Sequence, residues 1–161
     1  MTISVGDKLP SITLKLMTDD GPSDITTDAL CSGKKVVIFG LPGAYTPTCS
    51  AKHLPGFVEK AGEIKAKGVD SIACLSVNDA FVMGAWGRDQ GADDKVLMLA
   101  DGSADFTKAT GLELDLSQLG MGLRSKRYAM ILDDGVVSHL AIEENPGGLD
   151  GSSAEKILAT L

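Results

Sequence analysis

Apolar residues recur along the chain in blocks whose spacing alternates between strand-like and helix-like patterns. Residues 35–41 (KVVIFGL) form a continuous β-branched and aromatic run that stops at a Pro-Gly pair, which predicts a buried strand. From Thr48 to about Lys67 the apolar residues fall at three- and four-residue steps, which predicts a helix that ends at Gly68. Pro55 lies inside this stretch, so a kink or an irregular first turn is expected.

A second apolar run, residues 69–77, completes a strand–helix–strand unit. The strands of such a unit should be parallel and joined by a right-handed crossover. Residues 112–125 have no clean period and are predicted as a loop with at most a turn of helix. The other predicted elements are a helix from an Asn78 N-cap to about Asp89, a strand over 96–100, a helix over 104–110, hairpin strands over 128–132 and 136–142, and a helix over 152–161 opened by a capping box at Ser152.

The order of these elements, a βαβ unit followed by a hairpin and a helix, is typical of the thioredoxin-like arrangement. The predicted fold class is therefore α/β, a thioredoxin-like fold with an N-terminal extension and insertions, in which helices flank a central mixed sheet. With 161 residues the chain has the size of one domain, and a single domain over 1–161 is predicted. No apolar run approaches the ~20 residues of a membrane span, and the N-terminus has no leader pattern, so a cytoplasmic location is expected.

Charge and cysteine content narrow the possible functions. The formal net charge of −7 disfavours nucleic acid as a partner. The three cysteines include no CxxC pair, which argues against a dithiol reductase, and they are too few for a disulfide framework. Because there are also only two histidines, His53 and His139, a metal site is not expected. No bound cofactor is expected either.

The segment PGAYTPTC, residues 42–49, carries the candidate chemistry. It leads from the first strand into the helix, so Cys49 lies in the first helical turn, near unsatisfied N–H groups and the positive end of the helix dipole. That environment favours a thiolate, the nucleophilic form of cysteine. The competing interpretation is a small buried filler residue, which most free cysteines are. The position alone thus indicates a reactive cysteine without identifying what it reacts with.

The same segment resembles the peroxiredoxin signature, a proline, three residues, a threonine, two residues and the peroxidatic cysteine. The longer run FGLPGAYTPTCSAKHLPGF resembles the type II (atypical, peroxiredoxin-5-like) subfamily in particular. The segments ACLSVNDAFVMGAWG, KVLMLAD and SKRYAMILDDG extend the resemblance in the right order over nearly the whole chain. The resemblance implies a thiol-dependent peroxidase that reduces hydrogen peroxide and small alkyl hydroperoxides.

The resemblance also implies a role for each matching residue. Cys49 would attack the peroxide and become a sulfenic acid, and Thr46 would hydrogen-bond the peroxide. Pro42 would cover the site, and Arg127 would hold the thiolate and polarise the peroxide. The backbone N–H of Thr48 would assist in binding the substrate.

Arg127 has a simpler alternative, because residues 124–127 (RSKR) also fit a solvated basic patch at the start of a strand. The family match favours the active-site role, with Arg124 supporting the same site. His53, four residues after Cys49, is interpreted as packing against the loop. Trp86 is interpreted equally well as lining the site or as ordinary core.

The resemblance leaves the second half of the reaction open. Several members of the subfamily resolve the sulfenic acid with a C-terminal cysteine, but residues 145–153 contain none. Cys74 is the remaining candidate, and an inert core cysteine is the preferred interpretation of it, whereas Cys31 is interpreted as incidental. An external thiol is therefore expected, with glutathione and glutaredoxin preferred over thioredoxin. A homodimer is expected, and a peroxide-sensing redox switch acting through Cys49 is the alternative function.

Overall fold

The computed structural model describes all residues from 1 to 161. Nine strands are present, β1 (Thr13–Thr18), β2 (Gly21–Thr26), β3 (Lys35–Gly40), β4 (Ser71–Ser76), β5 (Leu97–Ala100), β6 (Glu113–Leu116), β7 (Gly122–Ser125), β8 (Tyr128–Asp133) and β9 (Val136–Ile142). Five α-helices accompany them, α1 (Thr27–Cys31), α2 (Leu54–Ala66), α3 (Ala80–Asp89), α4 (Asp105–Thr110) and α5 (Ala154–Thr160). A π-helical turn, Cys49–His53, leads directly into α2.

Seven strands form one mixed sheet in the order β2-β1-β5-β4-β3-β8-β9. Strands β3, β4 and β5 are parallel neighbours at its centre, and the other pairings are antiparallel. The predicted strand–helix–strand unit is thus β3-α2-β4, and the predicted hairpin is β8-β9. The thioredoxin-like α/β fold with a central mixed sheet flanked by helices is confirmed.

Alternate residues of β3 enter two separate apolar clusters, because successive side chains of a strand point to opposite faces of the sheet. Val37 and Phe39 belong to the cluster that also contains the apolar residues of α2, α3 and α5. Val36 and Ile38 belong to the cluster formed with α1 and α4. The central strand is therefore buried on both faces, as its uninterrupted apolar run predicts. No helix of this fold has the length and apolar character needed to cross a membrane.

Residues 112–125 contain the predicted turn of helix, Ser117–Leu119, but the rest of the segment differs from the predicted loop. They contain β6 and β7, which pair only with each other as a separate two-stranded sheet. Each strand has four residues and neither is fully buried, so the segment has no strong apolar period to detect. The prediction also placed no element in the N-terminal extension, which contains β1, β2 and α1.

Two helix starts lie one residue after the predicted caps. Asp79, not Asn78, caps α3, and its carboxylate accepts a hydrogen bond from the backbone N–H of Val82. The Asn78 amide oxygen instead accepts from the Ala44 N–H and from the Ser76 hydroxyl. Ser153, not Ser152, caps α5, because the hydroxyl of Ser152 is engaged elsewhere. In each case a tertiary partner occupies the side chain that the local sequence suggests as a cap.

Candidate active site

The π-helical turn places Cys49 at the point where the loop after β3 becomes a helix. Within the turn the Leu54 N–H donates to the Cys49 carbonyl, five residues back instead of four. Pro55, which has no N–H to donate, stands in the first turn of the α-helix that follows, and the expected irregular start of the helix is thereby confirmed. The Cys49 side chain is fully buried.

Arg127 reaches Cys49 from the opposite side of the site. One guanidinium nitrogen, Nη2, lies 3.1 Å from the Cys49 sulfur and donates to it. Arg127 is only 2% exposed, and a buried charge of this kind is stable only when it is paired and hydrogen-bonded. The guanidinium is thus the positive charge that faces the Cys49 sulfur. The interpretation of Arg127 as part of a solvated basic patch does not agree with this burial.

His53 contacts the other terminal nitrogen of the same guanidinium. Its Nδ1 lies 2.8 Å from Arg127 Nη1, and its Nε2 lies 3.0 Å from the Ser152 carbonyl oxygen. Since a guanidinium can only donate and a carbonyl can only accept, the ring is neutral, with its proton on Nε2. Burial, helped by the Arg127 charge, lowers the pKa of His53 to about 3, which agrees with this state. His53 thus bonds the C-terminal loop, which was not predicted, and it also holds Arg127.

The loop residues preceding Cys49 are held by short hydrogen bonds. The Thr46 hydroxyl donates to the Gly43 carbonyl at 2.7 Å, so its oxygen keeps only acceptor capacity for a ligand. Pro42 is buried, and its carbonyl accepts from Arg124 Nη1 at 3.3 Å. Arg124 approaches so closely that a Cβ added at Gly43 would lie 2.7 Å from the same nitrogen. Arg124 thus braces the loop.

The Thr48 side chain turns toward the C-terminal loop and donates to the Gly147 carbonyl at 2.9 Å. The Nε of Arg127 donates to the neighbouring Pro146 carbonyl, also at 2.9 Å. Segment 145–153, which contains no cysteine, therefore lies directly over the site.

The two other cysteines are buried and free. Burial raises the pKa of the Cys74 thiol well above its ordinary value, and the nearby Cys49 sulfur adds to the rise. Cys74 belongs to the same apolar cluster as Cys49. Burial likewise raises the pKa of Cys31, which ends α1, to about 11. Neither environment favours a thiolate.

Trp86 is fully buried and also belongs to the wall of the site. Its indole N–H donates to the hydroxyl of Ser50, the residue after Cys49, at 3.1 Å. Tyr45, from the same loop, lies over the indole with ring centroids 6.4 Å apart, and its hydroxyl donates to Asp89. Both interpretations of Trp86, as core and as site wall, are therefore correct.

Sequence reasoning found Cys49, Thr46, Pro42 and Arg127, which the fold brings together, but it missed what holds Arg127 in place. His53, which accepts a hydrogen bond from the Arg127 guanidinium, was visible only as a residue four positions from the cysteine. No group of three or more histidine, cysteine or acidic side chains is arranged to hold a metal ion.

Comparison with known proteins gives a consistent result. The Redoxin family model matches residues 4–158. Peroxiredoxin-2E of Arabidopsis thaliana, a chloroplastic protein, is 53% identical over 99% of this chain and 70% of its own length. Peroxiredoxin-2B of the same plant is 49% identical over 99% of this chain and 98% of its own length. The crystal structure of reduced Prx3 from Vibrio vulnificus in complex with hydrogen peroxide is 54% identical, covers 99% of both chains and superposes with a TM-score of 0.94.

Proposed function

The chain belongs to the type II peroxiredoxins, which are thiol-dependent peroxidases, and from this premise we propose that Cys49 is the sulfur that the peroxide oxidises. The observation that carries the proposal is the 3.1 Å contact between Arg127 Nη2 and the Cys49 sulfur inside a fully buried site. A cation at this distance favours the thiolate, and the thiolate is the form of cysteine that attacks a peroxide.

In the first step the Cys49 thiolate attacks the terminal oxygen of a hydroperoxide. An S–O bond forms, the O–O bond breaks, and the departing alkoxide or hydroxide takes up a proton to leave as an alcohol or as water. The sulfur is oxidised to a sulfenic acid, and the peroxide is reduced by the same two electrons. Full burial of the sulfur favours hydrogen peroxide and small alkyl hydroperoxides over bulky ones.

Arg127 and Thr46 have complementary roles in this step. The Thr46 hydroxyl proton is committed to the Gly43 carbonyl, so the Thr46 oxygen accepts from the peroxide O–H. The Arg127 guanidinium donates to the sulfur and, in the transition state, to the oxygen on which charge develops. Hydrogen-bond donors that are already positioned where charge develops stabilise the transition state and make a large contribution to the rate.

Pro42, Thr48 and Arg124 act on the site from its edges. Pro42 excludes water from the buried sulfur, and Arg124 holds the Pro42 carbonyl. The backbone N–H of Thr48 assists the bound peroxide, while the Thr48 side chain ties the helix start to Gly147.

In the second step an external thiol resolves the sulfenic acid. It attacks the Cys49 sulfur, releases water and forms a mixed disulfide, and a second thiol then regenerates the Cys49 thiol. The net reaction consumes one hydroperoxide and two thiols and yields an alcohol, water and a disulfide. Glutathione with glutaredoxin is the preferred donor and thioredoxin the second choice, because residues 145–153 contain no cysteine and Cys74 is fully buried.

Substitution of the three cysteines one at a time tests the proposal. Cys49→Ser should abolish thiol-dependent hydroperoxide consumption, whereas Cys74→Ser and Cys31→Ser should retain it. Treatment of the wild type with one equivalent of peroxide and then glutathione should give a Cys49–glutathione adduct in mass spectrometry.

Three outcomes would contradict parts of this proposal. Undiminished peroxide consumption by Cys49→Ser would place the reaction on another atom. A Cys49–Cys74 disulfide would replace the external thiol with an internal one. Oxidation of Cys49 once without recycling by any thiol would favour a peroxide-sensing redox switch.

We also propose that the protein is a homodimer. Tyr45 (53%), Phe81 (68%) and Leu119 (71%) are among the large apolar side chains that are strongly exposed in the single chain. Tyr45 and Phe81 both lie along α3, since Tyr45 bonds Asp89 at its end and Phe81 stands near its start. We infer that these two exposed side chains belong to the surface that contacts the second copy.

A further inference from the structure

The loop formed by residues 143–152, which we call the strap, contacts three side chains of the site through its backbone carbonyls. The Pro146 carbonyl accepts from Arg127 Nε, and the Gly147 carbonyl accepts from the Thr48 hydroxyl, each at 2.9 Å. The Ser152 carbonyl accepts from His53 Nε2 at 3.0 Å. The orientation of the catalytic arginine therefore depends on where the strap holds its carbonyl groups.

The carboxylate of Glu143, at the start of the strap, is hydrogen-bonded to residues at the end of the strap. Glu143 Oε2 accepts from the Asp150 N–H at 2.9 Å, from the Ser152 N–H at 2.8 Å and from the Ser152 hydroxyl at 2.6 Å. The backbone N–H of Glu143 donates to the Arg127 carbonyl at 2.9 Å, so the strap starts beside the arginine that it holds. Partial burial raises the pKa of Glu143, but the hydrogen bonds from Ser152 and Asp150 outweigh burial and leave it below its ordinary value.

A continuous series of hydrogen bonds runs from this carboxylate to the reactive sulfur. Glu143 fixes Ser152, the Ser152 carbonyl accepts from His53 Nε2, and His53 Nδ1 accepts from Arg127 Nη1 at 2.8 Å. Arg127 Nη2 then donates to Cys49. With Nε on Pro146, all three nitrogens of the guanidinium are engaged, and two of the three acceptors depend on the strap.

We propose that Glu143 is a positioning residue for the peroxidase reaction. By hydrogen-bonding Asp150 and Ser152 it fixes the strap, and the strap orients Arg127 toward the Cys49 sulfur. This inference rests on the proposed function, since it concerns the step in which Cys49 attacks the peroxide. Glu143 itself contacts neither the sulfur nor the arginine side chain. Its effect is transmitted through the carbonyls of Pro146 and Ser152.

Single-turnover oxidation of Cys49 by hydrogen peroxide, followed by Trp86 fluorescence, tests the proposal. Trp86 is the only tryptophan, and its indole bonds the residue next to Cys49. Glu143→Ala should lower the second-order rate constant about tenfold, because small misplacement of a catalytic group is costly. Glu143→Gln, whose amide oxygen can still accept hydrogen bonds from the strap, should stay within about threefold of wild type. Glu144→Ala, at the exposed neighbouring position, should react like wild type.

Two further measurements separate positioning from a general loss of structure. The ultraviolet absorbance of the Cys49 thiolate at neutral pH should fall in Glu143→Ala and recover in Glu143→Gln. If Glu143→Ala does not fold, Ser152→Ala, which removes one of the three donors, should oxidise about threefold more slowly.

The outcomes that overturn the inference are distinct from those that overturn the proposed function. Oxidation of a folded Glu143→Ala protein at the wild-type rate would overturn the role of Glu143. If Glu143→Ala does not fold, oxidation of Ser152→Ala at the wild-type rate would overturn it. Absence of any peroxide-dependent change in the wild type, or a change that persists in Cys49→Ser, would instead overturn the assignment of the reaction to Cys49.

Discussion

At the scale of single residues, burial of His53 makes the stability of the protein depend on pH. The imidazole packs against the stacked rings of Phe39 and Phe57, with ring centroids 5.0 and 5.7 Å away. Burial and the Arg127 charge lower the pKa of His53 to about 3. The unfolded chain binds a proton at this residue near pH 6.5, so between that pH and about 3 the unfolded state binds more protons. His53 should therefore remove about 1.4 kcal/mol of stability for each pH unit of acidification in that window.

Urea unfolding of wild type and His53→Gln between about pH 7 and pH 5 tests this expectation. The free energy of unfolding should fall more steeply with acidification in the wild type than in the variant, whatever their difference at neutral pH. His139→Gln, on β9, is the matched control for replacing a histidine elsewhere in the fold. Equal slopes in wild type and His53→Gln would show that the buried ring takes up its proton in the native state.

At the scale of elements, close packing of β8 on β3 requires a glycine at the end of β3. A Cβ added at Gly40 would overlap the Tyr128 ring, which is fully buried and cannot move aside. Gly62, in contrast, is an exposed position in the middle of α2 with open space around it. The same substitution should therefore have opposite effects at these two positions.

Chemical denaturation of Gly40→Ala and Gly62→Ala measures the difference. Gly40→Ala should lose about 1–3 kcal/mol of stability through overpacking. Gly62→Ala should gain about 0.5–1 kcal/mol, because alanine restricts the unfolded chain and favours a helix. Equal stability of Gly40→Ala and wild type would mean that the contact between β3 and Tyr128 is looser than the structure describes.

The elements predicted best from the sequence are those whose conformation depends on their own residues and not on partners elsewhere in the chain. Strands β3 and β4 are continuous apolar runs, and the apolar residues of α2 recur every three or four positions. These spacings match the buried faces of the elements, so the local sequence is enough to predict them. The caps predicted at Asn78 and Ser152 are wrong, because Ala44 and Glu143, from other parts of the chain, engage those side chains. Local pattern has no information about such partners.

The same distinction applies to the site. Cys49 and Thr46 stand in one short motif, so the sequence identifies them together, and Arg127 follows from its resemblance to the family. His53 and Ser152 are 99 positions apart, and only the folded chain brings them within a hydrogen bond. The sequence thus predicts the reacting groups, whereas the groups that orient them emerge from tertiary structure.

At the scale of the whole molecule, the proposed dimer has a surface that can be tested. Helix α3 packs against β1 and β5, on one side of the sheet, and presents Phe81 outward. The N-terminal segment with Val5 lies at the other edge, where the Gly6 N–H donates to the Val137 carbonyl in β9. Val5 is 60% exposed, so it offers a matched control for Phe81.

Sedimentation velocity of wild type, Phe81→Glu and Val5→Glu should distinguish the two surfaces. Both substitutions add one negative charge to a chain whose formal net charge is already −7, so general repulsion increases equally. Phe81→Glu should shift the protein toward monomer, since it buries a charge in an apolar contact, whereas Val5→Glu should leave the dimer intact. A monomeric wild type would remove the proposed dimer, and dissociation by Val5→Glu alone would place the contact at the β9 edge of the sheet instead of along α3.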